Sequence, residues 1–357
     1  MKVGMLTFHK ADNYGAVLQA HALQNYLIQL GCEAEIIDYR PNIKREDKRL
    51  SLARKLGKYF SNPIDRVKAR KYARARTEKF DHFRKKNLIL SEESYNGDSS
   101  MEADPPYYDC YIVGSDQVWN TDLSNRSKAF YLHFVKEGKK ISYAASFGKS
   151  DLGPWEDIYI RNYLDEFDSI SIREKHHARI LADQYNIQAQ VTLDPVFLLN
   201  KTEWKLLRRP IEDLPERYVL VYALEYSEDL FEAAEKKAAE LDCQIIYISL
   251  IKEKIKGRTL KGIGPSEFLY AFSKAAYVCT NSFHGVSFSI IFKKDFTVIE
   301  HSSRNMRIDN ILDLCGLSHR KYSENDMADI DYEEVEEKIN TYIQESKDYI
   351  KESLSII

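Results

Sequence analysis

Residues 2–39 read KVGMLTFHKADNYGAVLQAHALQNYLIQLGCEAEIIDY, and they decide the fold. Residues 2–7 have the composition of a strand, and FHKADNYG is a polar loop. From Ala16 the apolar positions Ala16, Ala20, Leu23, Leu27 and Leu30 step by fours and threes, which marks one face of a helix. Gly31 stops that helix, and AEIIDY (34–39) is the next strand. A strand, a helix and a second strand in this order predict a parallel pair joined by a crossover helix.

The same grammar continues outward. Strand patterns recur at 108–114, 139–146, 167–174 and 189–195, with a helical stretch KHHARILADQY before the last. After a break near residue 200 a second series begins, with strands at 217–224, 243–250, 275–280 and 296–300. Helices are expected near 227–241, 265–274 and 286–292. The fold class that follows is α/β: two Rossmann-like domains with mostly parallel sheets, facing each other across a cleft. The expected boundaries are 1–198, 199–330 and a C-terminal charged helix over 331–357.

Residues 44–86 interrupt this pattern with 17 Lys or Arg against five acids. They predict a basic helical insert, 44–90, in the first domain. It reads as a solvated helical face or as a platform for an anionic membrane surface or a pyrophosphate-bearing substrate.

The whole chain has 357 residues, 44% of them apolar, and a net charge of −3. That is enough apolar material for two cores without disulfides or a structural metal, and no overall field suggests nucleic acid. Cys32, Cys110, Cys243, Cys279 and Cys315 are scattered and unpatterned, as expected of buried thiols in a reducing compartment. With no run of 18 apolar residues and no signal-peptide core, the expected location is cytoplasmic.

Ligands of open α/β sheets bind beyond the carboxyl ends of the strands. Polar residues gather at those ends: HKADNYG, GSDQVWN (114–120), SFG (146–148), RE (173–174), DP (194–195) and NSFHG (281–285). Arg173 follows the strand SISI and offers a planar fork suited to a carboxylate or phosphate, or else an ion pair with a neighbour. Asp116 and Ser115 have the residue types of a helix N-cap, and Trp119 suits either the core or a sugar-facing wall. His176 and His177 lack a carboxylate cluster at ligand spacing and read as surface or packing residues. His284 falls at the start of the helix expected over 286–292, where free backbone N–H groups attract an anion and disfavour an imidazolium. An anionic substrate reverses that balance, which would make His284 a general acid armed by substrate. No zinc-protease, P-loop or nucleophile-elbow motif occurs.

Taken together, NYGAVLQAHALQNYL, VGSDQVWN, SYAASFG, SIREK, TLDPVFLL and TNSFHG resemble the polysaccharide pyruvyltransferase family. The likeness runs from residue 1 to about 315, without most of the basic insert. It implies a GT-B-like fold and transfer of a pyruvyl group from phosphoenolpyruvate to two hydroxyls of a sugar, in exopolysaccharide or capsule biosynthesis. His284 then falls on the family's acid or base and Arg173 on one of its donor arginines. A second donor arginine usually stands two residues before the histidine, where this chain has Ser282, next to Asn281. Arg304 and Arg307 are the candidates to replace it, with Arg258 and Lys261 behind them. Asn13, Tyr14, Ser115 and Asp116 are the candidate acceptor contacts. The resemblance implies no metal and no cofactor beyond the phosphoenolpyruvate donor, and a sugar acceptor that includes lipid-linked oligosaccharide. The competing expectations are a GT-B glycosyltransferase using a nucleotide-sugar and a non-catalytic glycan-binding member.

Overall fold

Strands that read as unbroken apolar runs lie in the middle of two parallel sheets, covered on both faces by helices. The computed structural model describes residues 1–41, 63–249, 257–300, 305–322 and 329–356. In chain order the first part contains β1 (Lys2–Leu6), α1 (Tyr14–Gln29), β2 (Glu33–Arg40), α2 (Pro63–Asn87), β3 (Leu90–Asn96), α3 (Asp98–Ala103), β4 (Cys110–Asp116) and β5 (Lys139–Ala145). It continues with α4 (Pro154–Tyr163), β6 (Ser169–Ile172), α5 (Lys175–Tyr185), β7 (Gln190–Val191) and α6 (Lys201–Leu206). The second part contains β8 (Tyr218–Ala223), α7 (Glu228–Glu240), β9 (Gln244–Ser249), β10 (Arg258–Thr259), α8 (Pro265–Lys274) and β11 (Tyr277–Thr280). It ends with α9 (Phe283–Phe292), β12 (Phe296–Val298), α10 (Asn305–Leu314) and α11 (Tyr332–Leu354).

The first seven strands form one sheet in the order β3-β2-β1-β4-β5-β6-β7, and the other five form a second in the order β10-β9-β8-β11-β12. All of these strand pairings are parallel. In each sheet the chain order reverses at one strand. β1 sits between β2 and β4, and β8 sits between β9 and β11. Such switch points leave a crevice at the carboxyl ends of the strands, because the connections on either side run in opposite directions.

The structure adds to the sequence reading the short strand β10 and the helices α3, α4 and α10, and two further departures have a clear cause. β3, Leu-Ser-Glu-Glu-Ser-Tyr-Asn, is an edge strand that was not expected. Its polar residues are tolerated because an edge faces water. α9 begins at Phe283, three residues before the expected start, because Ser282 caps it. Of the expected basic insert, the described part is the single long helix α2, and residues 44–62 lie outside the described residues.

One apolar cluster spans the junction of the two sheets. Tyr14 and Phe80 from the first part meet Tyr222 and Phe268 from the second, and the Tyr14 ring stacks on Phe268 at 4.5 Å. α11 then returns the chain to the first sheet. There the Tyr349 hydroxyl donates to the Ser142 carbonyl at 2.8 Å, and Ser346 accepts from the Leu193 N–H at 3.0 Å. Among the described residues no helix is long and apolar enough to cross a membrane.

Candidate active site

The two switch points open onto one cavity of about 340 Å³, lined by Phe8, Asn13, Asp116, Gln117, Ser282, Phe283, His284 and Arg307 among others. α1 and α9, one from each sheet, both begin at this cavity. Asn13 caps α1, its side chain accepting from the Ala16 N–H at 3.2 Å. Ser282 caps α9 by accepting from the Gly285 N–H at 3.4 Å. Two helix N-termini aimed at one space make it favourable for an anion.

The loop that carries Asn13 is held from behind by α2. Arg76 donates to the Asp12 carbonyl at 2.7 Å, Arg84 to the Asp12 carboxylate at 2.8 Å, and Thr77 to the same carboxylate at 2.7 Å. Part of the basic surplus in this helix is therefore used internally.

His284 occupies the second residue of α9, and its imidazole lies against the backbone of Gly15 at the start of α1. A Cβ on Gly15 would come within 2.1 Å of His284 Nδ1, so only glycine leaves room for this ring orientation. On the other side, His284 Nε2 is 3.7 Å from Asp194 Oδ2, an ion-pair distance rather than a hydrogen bond.

Asp194 is the residue that ties the site together. Its Oδ2 accepts from Arg173 Nη1 at 2.5 Å and from Ser115 Oγ at 3.2 Å, while Oδ1 accepts from the Val196 N–H at 3.1 Å. Burial alone would raise its pKa, but His284 and Arg173 outweigh it and hold the carboxyl well below the usual range. Asp194 is thus a permanent anion beneath the cavity. It lies 3.7 Å from the His284 imidazole and within hydrogen-bond reach of Arg173.

Arg173 is 3% exposed, with Nε and Nη2 buried and without a hydrogen-bond partner. Its Nη2 lies 3.7 Å from Asp116 Oδ1, and Arg307 Nη1 lies 3.9 Å from the same oxygen. Both guanidinium groups sit over the Phe283 ring, at 5.0 Å and 5.8 Å. Asp116 itself has left-handed backbone, φ 63°, a conformation that concentrates at functional positions. The result is an alternating row of charges, Arg307, Asp116, Arg173 and Asp194, that ends at the His284 imidazole.

The structure brings His284, Ser282, Arg307, Asn13 and Asp116 to the cavity wall, with Arg173 and Ser115 directly behind it. Two expected contacts are turned elsewhere. Tyr14 points into the junction, donating from its hydroxyl to the Ile263 carbonyl at 3.1 Å, and burial pushes its phenol far above the ordinary value. Asn281 braces the loop after β8, accepting from the Leu224 N–H at 2.8 Å and donating to the Glu225 carbonyl at 3.0 Å. Arg258 donates to the carbonyls of Glu212 and Asp213 and lines, with Lys261, a separate cavity of about 500 Å³. Arg304 lies outside the described residues. Trp119 is core, its indole N–H bonded to the Phe130 carbonyl at 2.9 Å. His177 is fully buried, 3.7 Å from Glu174, and His176 is exposed.

Asp194 and Gly15 were the residues that sequence reasoning left without a role. Asp194 belonged to a strand-end Asp-Pro pair, and Gly15 to the loop before α1. The structure shows both in contact with the histidine.

A family model described as polysaccharide pyruvyl transferase matches residues 13–303, which takes in α1, the second sheet's switch point and Asp116, Arg173, Asp194 and His284. The chain belongs to the polysaccharide pyruvyl transferase family. Arg307 lies just beyond the matched span. No curated protein sequence matches the chain. Among solved structures it is similar to the UDP-GlcNAc 2-epimerase of Methanocaldococcus jannaschii in complex with UDP-GlcNAc and UDP, at 12% identity and a TM-score of 0.50 over 99% of each chain. It is also similar to the UDP-GlcNAc 2-epimerase of Neisseria meningitidis bound to UDP-GlcNAc, at 13% identity and a TM-score of 0.47 over 99% of this chain and 94% of that one. The first likeness shows the fold: this pyruvyl transferase family member is a GT-B-type protein of two Rossmann-like units, and it is a transferase of polysaccharides by family.

Proposed function

We propose that this transferase moves a pyruvyl group from phosphoenolpyruvate onto two hydroxyls of one sugar, forming a cyclic ketal and releasing phosphate. The observation that carries this reading is the buried Asp194, which pairs with His284 on the cavity wall and with Arg173 directly behind that wall; we read the first as the acid–base group and the second as the anion-binding group. Phosphoenolpyruvate needs both. It is an anion with a carboxylate and a phosphate, and its CH2 carbon must gain a proton before C2 becomes electrophilic.

His284 as imidazolium donates that proton to the CH2 carbon. A sugar hydroxyl attacks C2 and its proton returns to His284, so the first half is neutral in protons. A second hydroxyl of the same sugar then forms its bond to C2 as the C2–O bond to phosphate breaks, and its proton leaves with the phosphate. The formal reduction of the CH2 carbon to a methyl group and the formal oxidation of C2 to the ketal level cancel, so the reaction as written is redox-neutral and calls for no cofactor. General acid–base help of this kind is worth on the order of 10²–10⁴-fold. Most of the remainder comes from holding the donor and both hydroxyls in register.

Arg173 offers the N–H groups of Nε and Nη2, which have no hydrogen-bond partner, to the donor, and the N-termini of α1 and α9 add partial positive charge. Arg307 supplies the second full charge in place of the arginine that Ser282 replaces. Asn13, on the cavity wall, and Asp116, between Arg173 and Arg307, are the residues we assign to the sugar, and a lipid-linked oligosaccharide is one acceptor form the reading allows.

The test is incubation of the chain with phosphoenolpyruvate and a panel of galactosides, lipid-linked ones included, with detection of ketal by mass and of phosphate release. Ketal with at least one acceptor, lost in His284→Ala, is the expected result. Absence of both products, together with thermal stabilisation by nucleotide-sugars and none by phosphoenolpyruvate, would overturn the reading in favour of a nucleotide-sugar transferase.

A further inference from the structure

Helix α2 has two faces with different surroundings. Its inner face buries Phe80 and Phe83, holds Asp12 through Arg76 and Arg84, and reaches the second sheet through Lys79 and Glu267 at 2.9 Å. Its outer face is unlike this. Val67, Arg70, Lys71 and Arg74 follow i, i+3, i+4, i+7 spacing and so share one side of the helix. All four are exposed, and Val67 is 66% exposed. Among the described residues the ion pair on this side is Arg74 with Glu78 at 2.6 Å, exposed at both ends and therefore weak.

The charge is local. α2 carries ten Lys or Arg against three acids, whereas the whole chain is −3. A surface this basic on a mildly acidic protein suits an anionic partner. The position of Val67 selects among them. A soluble polyanion gains nothing from an exposed isopropyl group between cations, whereas the boundary between lipid headgroups and acyl chains takes up both. Lysine and arginine stems lie along such a boundary with their charges in the headgroup layer.

We propose that the outer face of α2 around Val67, Arg70, Lys71 and Arg74 docks on an anionic lipid bilayer. Because the inner face of the same helix holds the loop of Asn13, docking sets the cavity close to the membrane plane. A sugar carried on a lipid would then meet the site without leaving its bilayer. This surface is independent of the chemistry proposed for the cavity.

The experiment is vesicle co-sedimentation of the full chain, with phosphatidylcholine vesicles containing about 30% phosphatidylglycerol compared with pure phosphatidylcholine. Binding to the anionic vesicles alone, weakened by raising salt from about 0.1 M to about 0.5 M, is expected. Each basic side chain at such a surface is worth roughly fivefold in binding. The R70E/K71E/R74E variant should therefore lose on the order of 100-fold, with an unchanged thermal midpoint showing that it folds. Val67→Ser, which removes the apolar group without adding charge, should weaken vesicle binding severalfold and leave binding to dextran sulfate unchanged. Equal vesicle binding by wild type and the triple variant would overturn the proposal. Dextran sulfate bound as tightly as vesicles, with Val67→Ser without effect on either, would overturn it in favour of a soluble polyanion site.

Discussion

The backbone of Gly15 supports the imidazole of His284: the first turn of α1 meets the first turn of α9 here with no space for a Cβ. This contact turns a glycine near the start of the chain into part of the site. Alanine in a helix is ordinarily more favourable than glycine by about 0.5–1 kcal/mol. Gly15→Ala should do the reverse here, because the Cβ must push the ring away from Asp194 or part the two helices. We expect a loss of about 1–3 kcal/mol in urea unfolding and at least about a tenfold fall in kcat. A variant that is more stable than wild type and fully active would show that the imidazole position is not set by this contact.

Asp194 predicts how stability depends on pH. Its carboxyl is held below its unfolded value near 3.9, so the stabilisation it contributes is present above about pH 4 and is lost as pH falls toward the folded value. Asp194→Asn removes the counter-charge of both Arg173 and His284, and breaking a buried pair in this way costs roughly 3–5 kcal/mol near neutrality. The variant should also lose less stability than wild type between about pH 4 and pH 3. Urea unfolding at pH 6, 4 and 3 for the two proteins checks both points. Parallel acid limbs would mean that another group carries the linkage.

The physical reasons for what the sequence reveals are uneven along the chain. β4 and β8 are buried along almost their whole length, so their sequences CYIVGSD and YVLVYA carry strong apolar signals. β3 has polar residues on an edge and carries almost no signal. His284 and Arg173 stand out because a histidine and an arginine at the ends of apolar strands are unusual. Asp194 does not, because an aspartate before proline reads as a turn or cap. It does cap the short turn after it, through the Val196 N–H, while its other oxygen faces Arg173 and His284. The Gly15–His284 contact joins opposite halves of the chain, and nothing local announces it.

Arg173 separates charge from shape. One of its terminal nitrogens is occupied by Asp194, while Nε and Nη2 have no hydrogen-bond partner. A lysine keeps the pair with Asp194 but has no second, coplanar donor to offer. Arg173→Lys should thus fold with a small loss of stability while raising the KM for phosphoenolpyruvate at least about tenfold, roughly the value of one charge-assisted hydrogen bond. Wild-type kinetics in this variant would place the donor away from Arg173.

The second cation can be tested by moving it. Arg307 lines the cavity and lies over the Phe283 ring, one residue along from Ser282. Phosphoenolpyruvate has two anionic groups, and a single guanidinium already paired with Asp194 cannot hold both. Arg307→Ala should therefore raise the KM for phosphoenolpyruvate by about tenfold or more, with a smaller change in kcat, because the charge acts on the bound donor before and during reaction alike. Ser282→Arg places a guanidinium on the adjoining wall. It also removes the cap of α9, at a cost of about 0.5–2 kcal/mol. Introduced into Arg307→Ala, it should recover part of the lost affinity in spite of that cost. Introduced alone, it should add little, since the donor's two charges are already met. An unchanged KM in Arg307→Ala would assign the second charge to another group, and Arg304 would be the next residue to replace.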